Sequence, residues 1–519
     1  MKLPRLARYL PSWKNAALAI SSAVLLILSF PDFEFWFLAW VGLVPLFFAI
    51  EREKESAVRS FVLGWLSGFI FFTGTCWWLT FAPITYAGFP SIIAYLLLFC
   101  VTGTVGIFPG IFAVVFSKLL TRFGNIAVIA APFVWVFSEF LRYWLTGNNW
   151  NAIGYSQAFN GPFLRAVNLG GEPAISFICV LICACYGFVV LERSKTSSWF
   201  AILPLALIAA SHLANLFLPI SPVSPTARAD TVVAIQPNVP MSGLTYDKWK
   251  LLRQRHVELA ESALASIDRN PQSAIPNPQS TAVIFPESPM NFAYEEDEEF
   301  RNFLHAFAAR NNVNVLFNSA EPDAPNNKYF NSAVLVGSDG KEIAQYDKIY
   351  LLPFGESVPA PLQAIVPAFV GSFSYGKEYD LLPIGDAKAG VMICFESHFG
   401  ELGREYVRDG ADVLIEMTND GYLGPTPVLR QHLANAVFRA VETNRPVLRV
   451  TNVGITAYIS ERGEVINPTQ GYTEDTRVWS VAKSDGGQTF YVRYGDWFAW
   501  LCSIVTLVLL ALTFKSRTE

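Results

Sequence analysis

Three stretches in the second half of this 519-residue chain end apolar runs in groups that can do chemistry. In AGVMICFESHFG (389–400), the run Val391-Met392-Ile393 stops at Cys394, with Phe395 and Glu396 directly after it. In IFPES (284–288), a proline separates an apolar run from Glu287. In YDKIYLLPFGES (346–357), Lys348 stands among apolar residues, and Glu356 follows eight residues later, after Pro-Phe-Gly. A lone cysteine is more often a buried packing residue than a nucleophile. This one sits where a strand meets the loop into a helix, the place where α/β enzymes build their sites. There a thiol gains from the helix dipole and from free backbone N–H groups.

A thiol nucleophile needs a base and a group that holds the developing oxyanion. Histidine is the usual base, and His256, His305, His398 and His432 lie in the same half. His398 falls in the opening turn of the next helix and reads as a surface or capping residue. The other three sit in helical patterns without supporting context. The strand-end carboxylate and lysine serve better. Glu287 takes the thiol proton, Lys348 faces the oxyanion together with a backbone N–H near Phe395, and Glu356 orients Lys348 or passes protons. The plainer alternatives are a helix cap or surface ion pair for Glu287 and an exposed edge-strand position for Lys348. No metal set and no cofactor is read from the sequence.

Composition says where such a site would sit. The chain is 52% hydrophobic and 16% charged, well below the roughly 25% charged residues of soluble proteins. Residues 1–220 carry 13 Lys and Arg against 8 Asp and Glu, and the remainder 25 against 35. An acidic second half argues against nucleic acid as a partner. Eight apolar segments approach the length that spans a bilayer: 15–31, 35–50, 60–80, 90–116, 125–146, 174–191, 199–219 and 497–514. The first follows Lys2, Arg5, Arg8 and Lys14 and reads as a retained anchor rather than a cleaved signal. Six cysteines (76, 100, 179, 183, 185 and 502) lie in these segments as small packing residues.

Loop charge sets the orientation. Arg52, Lys54, Arg59, Lys118, Arg122, Arg193, Lys195, Lys515 and Arg517 fall on one side, against Arg142 and Arg165 on the other. Both termini are then cytoplasmic, and the acidic domain lies on the outer side. The expected organisation is seven spans over 1–220, a Pro- and Ser-rich linker at 221–229, a catalytic domain over 230–487, and an eighth span with its tail over 488–519. Within the domain, strands at 231–236, 281–287, 313–319, 331–337, 389–396, 411–418, 445–452 and 455–460 alternate with helices at 246–268, 295–311, 400–409 and 426–444. That alternation predicts an α/β domain with buried sheets. The segment 268–281 reads as a surface loop.

The motifs FPES, YDKIYLLPFGE and GVMICFES resemble those of the nitrilase, or carbon–nitrogen hydrolase, superfamily. The resemblance implies an α-β-β-α sandwich and a Glu287–Lys348–Cys394 triad supported by Glu356 and Glu396. TNDGYLG (418–424), RAVETNRPVLRVTNVGIT (439–456) and the flanking spans are similar to the bacterial apolipoprotein N-acyltransferase family. That likeness implies an inner-membrane, monomeric enzyme with its catalytic domain in the periplasm. Its acyl donor would be a phospholipid, phosphatidylethanolamine or phosphatidylglycerol, attacked at the sn-1 ester to form a Cys394 thioester. The acceptor would be the α-amino group of a diacylglyceryl apolipoprotein. Three positions depart from the family pattern. Phe395 stands where tyrosine is frequent, and Pro237 replaces a glycine in QPNVPMSGLTYDKW (236–249). Tyr246 takes the place of the tryptophan on a substrate arm.

Two rival readings remain at this level. A membrane-anchored amidase or nitrilase would use the same triad with water as acceptor. A transporter with a dead accessory domain would need intramembrane charge, for which Glu139, Arg142 and His212 are the candidates. Glu139 and Arg142 lie three apart on a helix and could simply pair.

Overall fold

The computed structural model describes residues 9–160, 162–192, 197–217, 229–269, 280–288, 290, 292–353, 355–358 and 373–515. The chain divides into two compact units. One comprises 1–219, 426–434 and 494–519, and the other 220–425 and 435–493. Residues 426–434, from inside the expected catalytic domain, thus group with the first unit, and 488–493 with the second.

The first unit is helical: α1 (Trp13–Ser29), α2 (Val44–Glu53), α3 (Ala57–Thr75), α4 (Ser91–Val105), α5 (Ile107–Phe123), α6 (Ala131–Thr146), α7 (Glu172–Glu192), α8 (Ile202–Phe217) and, at the far end of the chain, Trp497–Phe514. Among the described residues, four stretches are long and apolar enough to cross a membrane: 57–75, 91–146, 172–192 and 497–514. Eight comparable segments were expected; the stretch 91–146 takes in two of them, and α1, at 17 residues, is among the shorter apolar helices. The segment expected at 35–50 is a 3₁₀ turn over 36–40 followed by α2. The one expected at 90–116 breaks at Gly106 into α4 and α5, with Pro109 in the first turn of α5. That break lies against α3, where a Cβ on Gly64 would meet the Pro109 carbonyl and one on Gly68 the Pro109 ring. Small residues let helices approach this closely where water cannot drive association.

Glu139 and Arg142 take separate neutral partners. Glu139 Oε1 accepts from Trp135 Nε1 at 2.8 Å and the Ile153 N–H at 2.9 Å. Arg142 donates to Asn149 Oδ1 at 2.7 Å and lies over the Phe72 ring. The side chain of His212 and the linker 221–228 lie outside the described residues, as does 270–279 of the expected surface loop.

The second unit holds two sheets. The first runs in the order β13-β1-β2-β3-β4-β5, with β6 paired to β4. Its strands are β1 (Ala229–Gln236), β2 (Thr281–Ile284), β3 (Asn314–Asp323), β4 (Lys328–Val336), β5 (Glu342–Asp347), β6 (Phe373–Ser374) and β13 (Asp475–Ala482). The second runs β12-β11-β10-β9-β8-β7, formed by β7 (Leu381–Ile384), β8 (Ala387–Ile393), β9 (Val413–Thr418), β10 (Val447–Thr451), β11 (Ala457–Ile459) and β12 (Val465–Ile466). β1, β2 and β3 are parallel neighbours, as are β8, β9 and β10.

Alternate residues explain the layering. Val233, Ile235, Val283, Phe285, Val315 and Phe317 form one buried cluster with Val257 and Ala260 of α9 (Tyr246–Arg269) and Phe300, Leu304 and Phe307 of α10 (Glu298–Asn311). Their sequence neighbours Val232, Ala234, Ile284 and Leu316 are also buried, so both faces of this sheet are covered. On the second sheet, Tyr406 of α11 (Gly400–Arg408) donates its hydroxyl to the Val391 carbonyl at 2.6 Å. α12 (Val428–Thr443) leads into β10.

Candidate active site

Parallel strands point their C-terminal ends the same way, and loops leaving those ends converge. Glu287 lies three residues beyond β2, Cys394 directly beyond β8, and Asn419 directly beyond β9. Lys348 follows the last residue of β5. These ends bring Glu287, Lys348, Glu356 and Cys394 into one cluster.

Lys348 is buried, with 1% of its side chain exposed. Its burial excludes an exposed position, although it directly follows β5, the last strand in the order of its sheet. Its Nζ bonds both oxygens of Glu356, at 2.8 and 2.7 Å, while Glu287 Oε1 stays 4.0 Å away. Glu356 also accepts the Leu352 N–H at 2.7 Å. Glu287 takes smaller donors instead: the Asn419 N–H on Oε2 at 3.1 Å, Asn331 Nδ2 on Oε1 at 3.2 Å, and the Cys394 thiol. Asn331 donates to Glu356 as well, at 2.6 Å, so one amide spans both carboxylates.

Burial dominates the electrostatics. It pushes the Glu287 carboxyl above its ordinary range, opposed by the positive charge of Lys348. The Cys394 thiol is pushed well up by burial and by the nearby Glu287, with Lys348 and Thr418 pulling the other way. The lysine is raised, because Glu356 and Glu287 outweigh its own desolvation. A thiol held neutral beside a carboxylate of raised basicity suits proton transfer at the moment of attack.

Cys394 itself adopts φ +55°, in the left-handed region that side chains avoid. The short 3₁₀ turn Cys394–His398 carries it. Glu396 anchors that turn. It is fully buried and accepts from the Ile393, Ile349 and Tyr350 N–H groups at 2.8, 2.7 and 3.0 Å and from the Tyr346 hydroxyl at 2.8 Å. Burial pushes its carboxyl up to about 7 despite these donors. Glu396 thereby ties the segment after Lys348 to the turn that bears the thiol. Phe395 stacks on His398 (centroids 5.7 Å apart) and meets Phe399 edge-on. His398 is buried within this turn rather than at a helix surface.

Tyr246 is not gathered with the others. It is the exposed first residue of α9, its hydroxyl donates to Glu299 Oε2 at 2.8 Å, and Lys250 lies over its ring. From the same stretch it is Met241 that reaches the site, accepting from Asn419 Nδ2 at 3.3 Å.

Several supporting residues escape sequence reasoning. Arg449 of β10, fully buried, pairs with Glu416 and, at 2.8 Å, with Asp420, beside the β9 loop that supplies the Asn419 N–H. Arg439 donates to the Ser397 and His398 carbonyls at 3.0 and 2.8 Å and pairs with Glu442 at 2.7 Å, capping the far end of the cysteine turn. The available signal was charge or amide on otherwise apolar strands: Asn318, Asn331, Glu416 and Arg449 each interrupt one.

Comparison with known proteins follows the same division. Residues 22–185 match the family described as the apolipoprotein N-acyltransferase N-terminal domain. Residues 232–490 match the family described as carbon–nitrogen hydrolase. A protein of Geobacter metallireducens called apolipoprotein N-acyltransferase is 31% identical over 97% of this chain and 96% of its own length. Proteins of the same name from Pasteurella multocida and Thermotoga maritima are 26% and 28% identical, over 95% of this chain and 94% and 92% of theirs. Among solved structures, an amidase from Nesterenkonia sp. AN1 aligns over 54% of this chain and 99% of its own, at 14% identity and a TM-score of 0.37.

Proposed function

The chain belongs to the apolipoprotein N-acyltransferase family, and from that premise we propose how its strand-end cluster carries out the transfer. The activity is N-acylation of apolipoproteins. The route proposed is ping-pong through a Cys394 thioester. Glu287 takes the thiol proton as Sγ attacks the ester carbonyl of a phospholipid at the sn-1 chain. The oxyanion is met by the ammonium of Lys348 and a backbone N–H at Phe395. The C–O bond breaks, the glycerol oxygen recovers the proton from Glu287, and a lysophospholipid leaves. The α-amino group of a diacylglyceryl apolipoprotein then attacks the thioester. Glu287 takes its proton and returns it to the departing thiolate, leaving an amide and a free thiol.

One observation supports this division of labour above the others. Glu356 holds Lys348 through both oxygens, while Glu287 lies 4.0 Å from the ammonium and touches the thiol. One carboxylate fixes the cation, and the other is left basic enough to move a proton.

We further propose phosphatidylethanolamine or phosphatidylglycerol as donor, a monomer, and an inner-membrane enzyme with eight crossings and the catalytic unit on the periplasmic side. The loop charges support that orientation. Both lipids are then anchored in one leaflet, so neither must cross water to reach the thiol.

Intact mass of the protein purified with native lipid tests the scheme. A hydroxylamine-sensitive gain of one acyl chain, absent in Cys394→Ala, is expected. No adduct after addition of phosphatidylethanolamine, together with hydrolysis of a soluble amide, would replace the phospholipid route with an amidase using water.

A further inference from the structure

Asn331 can serve Glu287 and Glu356 together only if its NH₂ faces them. Its carbonyl turned the same way would meet two carboxylates. Something must fix the amide. Asn318 on β3 is buried, diagonal to Asn331 across the β3–β4 pairing, where Asn318 lies opposite Ala333 and Asn331 opposite Ala320. Asn318 Nδ2 donates to Asn331 Oδ1 at 2.6 Å and to the Ser332 carbonyl at 3.0 Å. Its Oδ1 accepts the Ser288 N–H at 3.3 Å. Backbone groups cannot exchange donor for acceptor. Turning Asn318 over would set NH₂ against N–H and carbonyl against carbonyl, so its polarity is fixed, and that of Asn331 follows.

We propose that Asn318 is a positioning residue for acyl transfer, which reaches Glu287 by two routes: through the Ser288 N–H next to it in the chain, and through the Asn331 amide on its carboxylate. Neither route touches substrate. Together they set the distance of Glu287 from Lys348 and its bond to the thiol. The proposal rests on the reading of Glu287 and Cys394 as reacting groups. The charged and titratable groups facing Glu287 are Lys348, Glu356 and Cys394, with Glu396 beyond the lysine and Arg449 beyond the thiol.

Asn318→Asp keeps the shape and the acceptor for Ser288 but offers Asn331 no donor and adds a negative charge. Two readouts on the full-length enzyme in detergent separate positioning from general damage. The first is steady-state acyl transfer from phosphatidylethanolamine to a diacylglyceryl peptide. The second is the pH profile of Cys394 alkylation by iodoacetamide, identified by peptide mass against a Cys394→Ala control. Expected for Asn318→Asp is a loss in kcat of about 100-fold, the scale of a misplaced catalytic group, with KM little changed. The alkylation midpoint should move up by about one pH unit, as for a coupled carboxylate–thiol pair gaining negative charge. Asn318→Ala, which adds no charge, should lose less in kcat than Asn318→Asp and shift the midpoint the same way by less. It decides the matter if the aspartate variant does not fold, with thermal melting reporting folding for both. Wild-type kcat, or a loss with an unmoved midpoint, overturns the proposal. If wild-type Cys394 forms no acyl adduct, the reaction scheme falls and takes this assignment with it. An adduct with unaffected Asn318 variants removes the assignment alone.

Discussion

The second unit buries two clusters that each set one cation between two carboxylates, and they are built differently. In the sealed one, Arg449 bonds both Glu416 and Asp420, and all three side chains are essentially without exposure. In the other, Lys348 gives its bonds to Glu356, while Glu287 is left at 4.0 Å with 15% of its side chain exposed. A planar guanidinium can serve two carboxylates at once, which makes the first cluster a strut. An ammonium closed on one carboxylate leaves the other short of charge and able to accept a proton. The same inventory of charge thus gives rigidity in one place and reactivity in the other.

Cys394→Ala should draw the sharpest line between the clusters. It should cost about 10⁵-fold or more in acyl transfer, as for other covalent nucleophiles, and leave the melting temperature near that of the wild type. Next comes Glu287→Gln, with a loss of about 10²–10⁴-fold, the range for a general base. A pH profile refines this. Burial raises Glu287, so thioester formation should fade as pH falls through a value above the ordinary glutamate range, and Glu287→Gln should abolish that limb.

Arg449→Met tests the strut. It leaves two buried carboxylates without their cation and should cost about 3–5 kcal/mol of stability, read as a lowered melting temperature. An unchanged melting temperature would make the two clusters equivalent after all. Phe395→Tyr is the mildest. Phe395 acts by packing on His398 and Phe399, so a hydroxyl there should change kcat least of these substitutions, as read by steady-state acyl transfer.

The asymmetry between these clusters was only half legible in the sequence. Glu287, Lys348, Glu356 and Cys394 announce themselves because a charge or thiol at the end of an apolar run needs a reason. The helices at 246–269 and 428–443 were legible from periodicity, and the central strands from their apolar runs. Strands β5, β7 and β13 were not, because their sequences carry polar residues or prolines that suit edge or half-exposed positions. Asn318 and Asn331 were hidden for a different reason. An amide on a strand acquires a meaning only when pairing register and the opposing loop are known, and neither is written locally. The limits of the expected segments at 90–116 and 35–50 were not legible either, because at Gly106 and at the 3₁₀ turn over 36–40 hydropathy continues but the helix does not.

The backbone of Cys394 carries one more consequence. A side chain at φ +55° costs roughly 1–2 kcal/mol that glycine would not. Cys394→Gly should therefore melt at a higher temperature than Cys394→Ala, although both are inactive. In a lineage that no longer needed the acyl transfer, folding alone would favour glycine at this position, so the persistence of cysteine there would be a record of selection for chemistry against the preference of the fold.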